Sequence, residues 1–302
     1  MTSAAAPAPA AIRHRDARLP NGMRLHVAEA GDTGQPLIVF LHGFPEAWFA
    51  WEAQLEEFGR DHHAVAPDLR GFNLSDQPLA VEAYRPKHLV EDLRLLIADC
   101  GHARCVLVAH DWGGAIAWNF AVQHPGMVER LVIINSPHPA LFARELAHDP
   151  AQQAASAYMN FLRRPDAEGL LATDGYAGMW GFFEGATGTG GWLGDALRER
   201  YLACWGRGLT GGLNLYRASP LHPPTPEAPG ARDVRFPPEA VTVRVSTRVL
   251  WGMSDTALLP GLLDGLETFV PGVEVQRVTE ATHWIIHEQP ERVNAAIRGF
   301  LP

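Results

Sequence analysis

The sequence predicts an α/β fold: a mostly parallel central sheet with helices on both faces and an inserted helical cap. Three observations carry this. Short apolar, largely β-branched runs alternate with helical patterns along most of the 302 residues, the signature of parallel strands joined by helical crossovers. The alternation stops over 137–242 and then resumes. A hydrophobic content of 47% supplies a core large enough for one big domain carrying an insertion.

The elements follow in order. Residues 1–16 (MTSAAAPAPAAIRHRD) lack an apolar export-signal core and read as a disordered Ala/Pro-rich tail. Residues 17–30 read as a hairpin around Pro20-Asn21-Gly22. Strands are expected at 37–41, 63–66, 105–109, 131–134, 248–251 and 273–278, with helices at 48–58, 88–98, 112–123 and 290–300. These make a core of 17–136 and 243–302. After the sixth strand comes the cap, 137–242, helical at 151–162 and 192–204 and closed by a Pro-rich return linker over 220–238.

Bulk properties narrow the partners. A formal charge of −9 argues against nucleic acid and anionic membrane, which both select a basic face. No apolar run approaches the roughly 18 to 20 residues of a membrane span. Cys100, Cys105 and Cys204 have neither an even count nor C-x-x-C spacing, so they read as reduced thiols of a cytoplasmic protein. No cofactor and no metal is expected, and homo-oligomerisation is left open.

The chemistry is concentrated in AHDWGG, residues 109–114. An apolar strand turns sharply into a helix there, with the small residues Ala109 and Gly113 two positions either side of Asp111. This is the pattern of a nucleophile elbow with Asp in place of Ser. A carboxylate, with a reference pKa of about 3.9, is an anion at neutral pH without a base. It cleaves amides and esters poorly but displaces leaving groups from saturated carbon, so Asp111 points to alkyl transfer followed by hydrolysis. Hydrolysis requires a base and an orienting acid. Asp255 and His283 stand in the loops after the expected strands 248–251 and 273–278, at the carboxyl ends where open α/β sheets gather their catalytic groups.

Together LHGFPE, AHDWGG, NSPHP, LNLYR, WGMSD and ATHW, in this order along nearly the whole chain after the tail, resemble the soluble epoxide hydrolases of the α/β-hydrolase superfamily. These form an Asp-nucleophile branch shared with haloalkane dehalogenases. The resemblance implies an α/β-hydrolase fold. It implies Asp111 as nucleophile, His283 and Asp255 as the water-activating pair, and the backbone N–H groups of Phe44 and Trp112 as the oxyanion hole. It also implies a cis Phe44-Pro45 bond, and Tyr158 and Tyr216 on the cap as proton donors to the opening epoxide. The implied partners are a small apolar epoxide, or a halogenated compound, and water.

Each assignment has a competitor. An Asp before a helix is commonly an N-cap, and Asp255 has the setting of a turn residue. Among 14 histidines His287 is the rival of His283, and cap tyrosines commonly just pack. Trp48, Trp51, Trp180, Trp192 and Trp205 are candidates for the site lining, with packing the plainer role. The alternative function is dehalogenation by the same Asp-His-Asp set, with Trp112 and a cap tryptophan such as Trp180 holding the halide. Against it, Phe44 stands where some dehalogenases have Asn, and Trp112 and Ala115 stand where fluoroacetate-type enzymes have arginines. A non-catalytic ligand-binding homologue is disfavoured by the intact set.

Overall fold

The computed structural model describes residues 10–184 and 191–302. The chain opens with β1 (Arg13–Arg18) and β2 (Arg24–Ala30), an antiparallel hairpin turning at Pro20-Asn21-Gly22. The expected tail therefore ends too late. Residues 1–9 lie outside the described residues, but Arg13–Asp16 pair with His26–Glu29. This edge strand exposes mostly charged side chains, so it carries no hydrophobic alternation to betray it.

From there strands and helices alternate: β3 (Leu37–Leu41), α1 (Glu52–Phe58), β4 (His63–Pro67), α2 (Pro86–Asp99), β5 (Cys105–His110), α3 (Trp112–Gln123) and β6 (Val128–Ile134). The first turn of the helix expected at 48–58 is a 3-10 turn, Trp48–Trp51. Next come α4 (Pro139–His148), α5 (Pro150–Ala155), α6 (Tyr158–Leu162), α7 (Ala167–Glu184), α8 (Asp195–Trp205) and α9 (Thr210–Ala218), with no strand among the described residues of this stretch. The single helix expected over 151–162 is two, parted at Ser156 and Ala157. Helix α7 is itself broken, since Asp174 and Tyr176 take the left-handed φ values of 51° and 67°. The chain finishes with β7 (Thr247–Gly252), β8 (Glu274–Val278), α10 (Ile285–Glu288) and α11 (Pro290–Arg298).

The sheet order is β1-β2-β4-β3-β5-β6-β7-β8, with β2 antiparallel to both neighbours and every later pair parallel. Strands β3 and β5 are buried at every position, which explains their continuous apolar runs. The carboxyl ends of β3, β5, β6, β7 and β8 therefore share one edge. The chain leaves the sheet after β6 for the six inserted helices and returns at β7 through the Pro-rich stretch. All three cysteines are buried and free, and no described helix is long and apolar enough to cross a membrane.

Candidate active site

Strand β5 delivers Asp111 to that edge at φ 49° and ψ −121°, a left-handed conformation disfavoured for a residue with a Cβ. Close packing fixes the turn. A Cβ on Gly113 would stand 2.3 Å from the Leu41 carbonyl oxygen, and one on Gly43 would stand 2.3 Å from the Asp111 Cβ. Only glycine lets the chain after β3 pass this near the elbow. That chain, with a cis Phe44-Pro45 bond, donates the Phe44 N–H to Asp111 Oδ1 at 2.8 Å. The Ser136 hydroxyl donates to the Asp111 carbonyl at 2.7 Å. Trp112 opens α3, and the Asp111 side chain makes no capping bond to it. The N-cap reading of Asp111 thus fails, and its second oxygen is left facing the site.

His283, in the loop after β8, sets Nε2 3.9 Å from Asp111 Oδ2 and Nδ1 2.7 Å from Asp255 Oδ2. The carboxylate partner assigns the proton to Nδ1 and leaves Nε2 toward Asp111. Asp255 is completely buried and accepts three further bonds: from Asn135 Nδ2 at 2.8 Å, Ala257 N–H at 2.8 Å and Leu258 N–H at 2.9 Å. Burial works to raise its pKa, but the His283 charge and these bonds hold it below the usual carboxylate range. Burial likewise works to lower His283, yet Asp255 first and Asp111 after it lift the imidazole to about 9.

The rival histidine is committed elsewhere. His287 Nε2 donates to Glu46 Oε1 at 2.5 Å, and the same oxygen accepts the Tyr201 hydroxyl at 2.9 Å. Glu46 is buried, which opposes its charge, but His287 and His110 hold its carboxyl far below the ordinary range. His110 Nε2–H in turn donates to the His283 carbonyl at 2.9 Å, so this network braces the loop that carries the catalytic candidate.

Tyr158 begins α6 and Tyr216 lies in α9, their ring centroids 6.2 Å apart. Both line a cavity of ≈ 180 Å³ together with Asp111 and Trp112, whereas His283 and Asp255 lie outside its lining. Its walls come from α2, α3, α4, α9 and the Pro-rich return, through residues such as Leu89, Ile116, Phe142, Leu215 and Phe236. Among the described lining residues Asp111 is the single charged one. Burial, followed by the charges of Asp111 and Asp255, pushes the Tyr158 hydroxyl well above its ordinary pKa. Burial, followed by Tyr158 and Asp111, does the same for Tyr216. Both remain protonated donors.

All seven candidate residues therefore converge. Trp48, Trp51, Trp180, Trp192 and Trp205 stand outside the lining. Trp51 packs on Phe40, for example, and the Trp205 indole donates to the Pro45 carbonyl. Sequence reasoning assigned no role to Asn135, Ser136, Glu46 or His110, although NSPHP, LHGFPE and AHDWGG contain them. Asn135 also accepts the Gly252 N–H at 2.8 Å, tying the end of β6 to the loop bearing Asp255. Among the described residues no cluster of three or more His, Cys, Asp or Glu side chains is placed to hold a metal ion.

The family described as alpha/beta hydrolase fold matches residues 36–290. Epoxide hydrolase 3 of Xenopus tropicalis is 36% identical over 298 residues, covering 96% of this chain and 77% of that protein. The AB hydrolase superfamily protein YfhM of Bacillus subtilis is 35% identical over 288 residues, covering 93% of this chain and 95% of that one. The crystal structure of the Bacillus megaterium epoxide hydrolase with an inhibitor superposes with a TM-score of 0.85 at 35% identity, over 95% of this chain and 99% of that chain.

Proposed function

The chain belongs to the α/β-hydrolase fold family and groups with its epoxide hydrolases, and from that premise we propose that it opens small, uncharged apolar epoxides to vicinal diols. The observation that carries this reading is that two protonated tyrosines, Tyr216 buried and Tyr158 half-buried, share one apolar cavity with a carboxylate held in a nucleophile elbow. Asp111 Oδ2 attacks a ring carbon, a carbon–oxygen bond of the epoxide breaks, and the departing oxygen takes a hydrogen bond and then a proton from Tyr158 or Tyr216. Water, deprotonated by His283 and oriented through Asp255, then adds to the ester carbonyl of Asp111. The oxyanion that forms is stabilised by the Phe44 N–H, already 2.8 Å from Oδ1, and by the Trp112 N–H at the start of α3. Collapse breaks the ester bond, the departing diol oxygen takes the proton held by His283, and the proton of the re-formed Asp111 carboxyl restores the tyrosine, returning the carboxylate. Residues 137–242 act in this scheme as the cap that supplies the donors.

The tyrosines separate this reading from dehalogenation, because a ring oxygen must gain a proton and a halide need not. Either single Tyr→Phe change should slow diol formation by roughly tenfold to a thousandfold, about 1.5 to 4 kcal/mol of transition-state stabilisation. Tyr158→Phe with Tyr216→Phe should be close to inactive on styrene oxide. Initial rates of diol from styrene oxide and of bromide from a bromoalkane check this. Bromide release that survives the double change, without diol from wild type, would transfer the assignment to a dehalogenase using Trp112.

The charge pattern around His283 carries a pH prediction. In the free enzyme the imidazole is held at about 9, partly by the Asp111 anion. Esterification neutralises Asp111, removes that support and lowers the pKa, so the base appears after the first step has occurred. Decay of the intermediate should therefore rise with pH to a plateau, with an apparent pKa below that of the free enzyme. Alkylation should stay level from about pH 6 to 8, where a carboxylate needs no base to attack and both tyrosines are protonated. Stopped-flow tryptophan fluorescence under single-turnover conditions resolves the two phases.

A further inference from the structure

Four aromatic rings around the nucleophile form a closed cycle. Phe44 meets Tyr216 at 5.3 Å between centroids, Tyr216 meets Tyr158 at 6.2 Å, Tyr158 meets Phe182 at 5.8 Å, and Phe182 returns to Phe44 at 5.5 Å. All four contacts are edge-to-face, with interplanar angles of 74° to 85°. Rings at these separations are in edge-to-face contact. The cycle has two halves. Tyr158 and Tyr216 line the cavity, whereas Phe44 and Phe182 stand outside its lining, behind the hydroxyl-bearing pair. Phe44 is fixed from below by its own N–H on Asp111, and the Phe182 carbonyl accepts the Trp284 indole N–H at 3.2 Å, next to His283.

Among the described residues the cavity runs from Asp111 along α3, between α2 and α4 and beneath α9. Displacement at a ring carbon requires the carboxylate oxygen opposite the breaking bond, with the ring oxygen at the tyrosines. The attacked carbon then lies between Asp111 and the Tyr pair, and its sister carbon projects into the cavity. Substituents on the sister carbon meet the apolar walls. A bulky substituent on the attacked carbon meets the Phe44 and Phe182 side of the cycle.

We propose that the site is one-armed, closed behind Asp111 by the Phe44–Phe182 half of the ring cycle, and that its substrates are terminal epoxides attacked at the unsubstituted carbon. Phe182 is the specificity-determining residue of that closure. This rests on the nucleophile reading given above. The bond from Asp111 forms to the terminal carbon, the bond from that carbon to the ring oxygen breaks, and the alkoxide on the inner carbon takes a tyrosine proton. After hydrolysis the terminal hydroxyl carries an oxygen that came from Asp111, and water restores the carboxylate.

Two isomers of equal composition test it: 1,2-epoxyoctane and trans-4,5-epoxyoctane. The wild-type kcat/KM is expected to favour the terminal isomer by at least about 100-fold, the scale on which shaped apolar pockets discriminate. Over many turnovers in heavy-oxygen water, the label should appear on the terminal carbon of octane-1,2-diol. Phe182→Ala should narrow the isomer preference at least about tenfold, and Phe182→Leu by less, a ratio that general loss of folded protein does not move. Comparable wild-type kcat/KM for the two isomers, or label on the inner carbon, overturns the one-armed site while leaving epoxide hydrolysis intact. An unchanged preference in a folded Phe182→Ala overturns the role of Phe182. Absence of diol from both isomers overturns the function reading and this inference with it.

Discussion

His283→Gln is expected to stop the cycle halfway, leaving a stable ester on Asp111 one substrate mass heavier than the protein. The geometry divides the labour sharply. Asp111 is held by the Phe44 N–H at 2.8 Å and faces the cavity that His283 does not line, and a carboxylate needs no base in order to attack. Glutamine keeps a side chain of similar reach to Asp255 but accepts no proton from water. Alkylation should therefore persist while steady-state turnover falls by about 10³-fold to 10⁴-fold, the usual scale for loss of an essential base. Intact-protein mass spectrometry after mixing with excess styrene oxide reads the adduct, and peptide mapping places it. An unmodified mass would sink the assignment. An adduct that still turns over at the wild-type rate would move the base to another group.

Asp111→Asn removes the proposed nucleophile and should be the more damaging change at the first step. The amide preserves an acceptor for the Phe44 N–H, so the elbow geometry is kept, but a neutral amide has no charge to displace a leaving group. No adduct should form, and diol formation should fall by at least about 10⁴-fold. The same substitution has a second, independent readout. Asp111 is one of the anions that lift His283 to about 9, so its neutralisation should lower the His283 pKa. Imidazole titration by NMR checks this. A His283 pKa unmoved by Asp111→Asn would mean that the 3.9 Å approach of the two side chains does not couple them.

What the sequence made legible, and what it hid, follows from the range of each interaction. The elbow was legible because its constraints are local: an apolar strand, a small residue on each side of Asp111, and a helix beginning at the next position. Asp255 and His283 were legible from their places after apolar strands and from their order along the chain. Glu46 and Asn135 were not, since their partners lie far away in sequence. Glu46 is read by His287 and Tyr201, and Asn135 by Gly252 and Asp255. No periodicity records such contacts. Strand β1 was hidden for a different reason, because an exposed edge strand of charged residues looks like tail until its partner is known. In the inserted stretch, helix α9 begins TGG and α7 is interrupted by left-handed residues, so neither shows a clean helical pattern. The aromatic cycle joins residues from four separate segments and exists only in three dimensions.

The point at which the chain leaves the sheet has a consequence for how such a protein can change. Asp111, Asp255, His283 and the Phe44 N–H all belong to the strand-end loops, while Tyr158 and Tyr216 arrive together on the segment inserted between β6 and β7. On the proposed reading, bond-making and leaving-group assistance are thus encoded by separable stretches of sequence. A lineage, or an engineer, could then exchange the inserted stretch and so retune which atom departs while keeping the proposed nucleophile and water-activating pair unaltered. Innovation in this architecture is accordingly cheap on one side of the site and forbidding on the other.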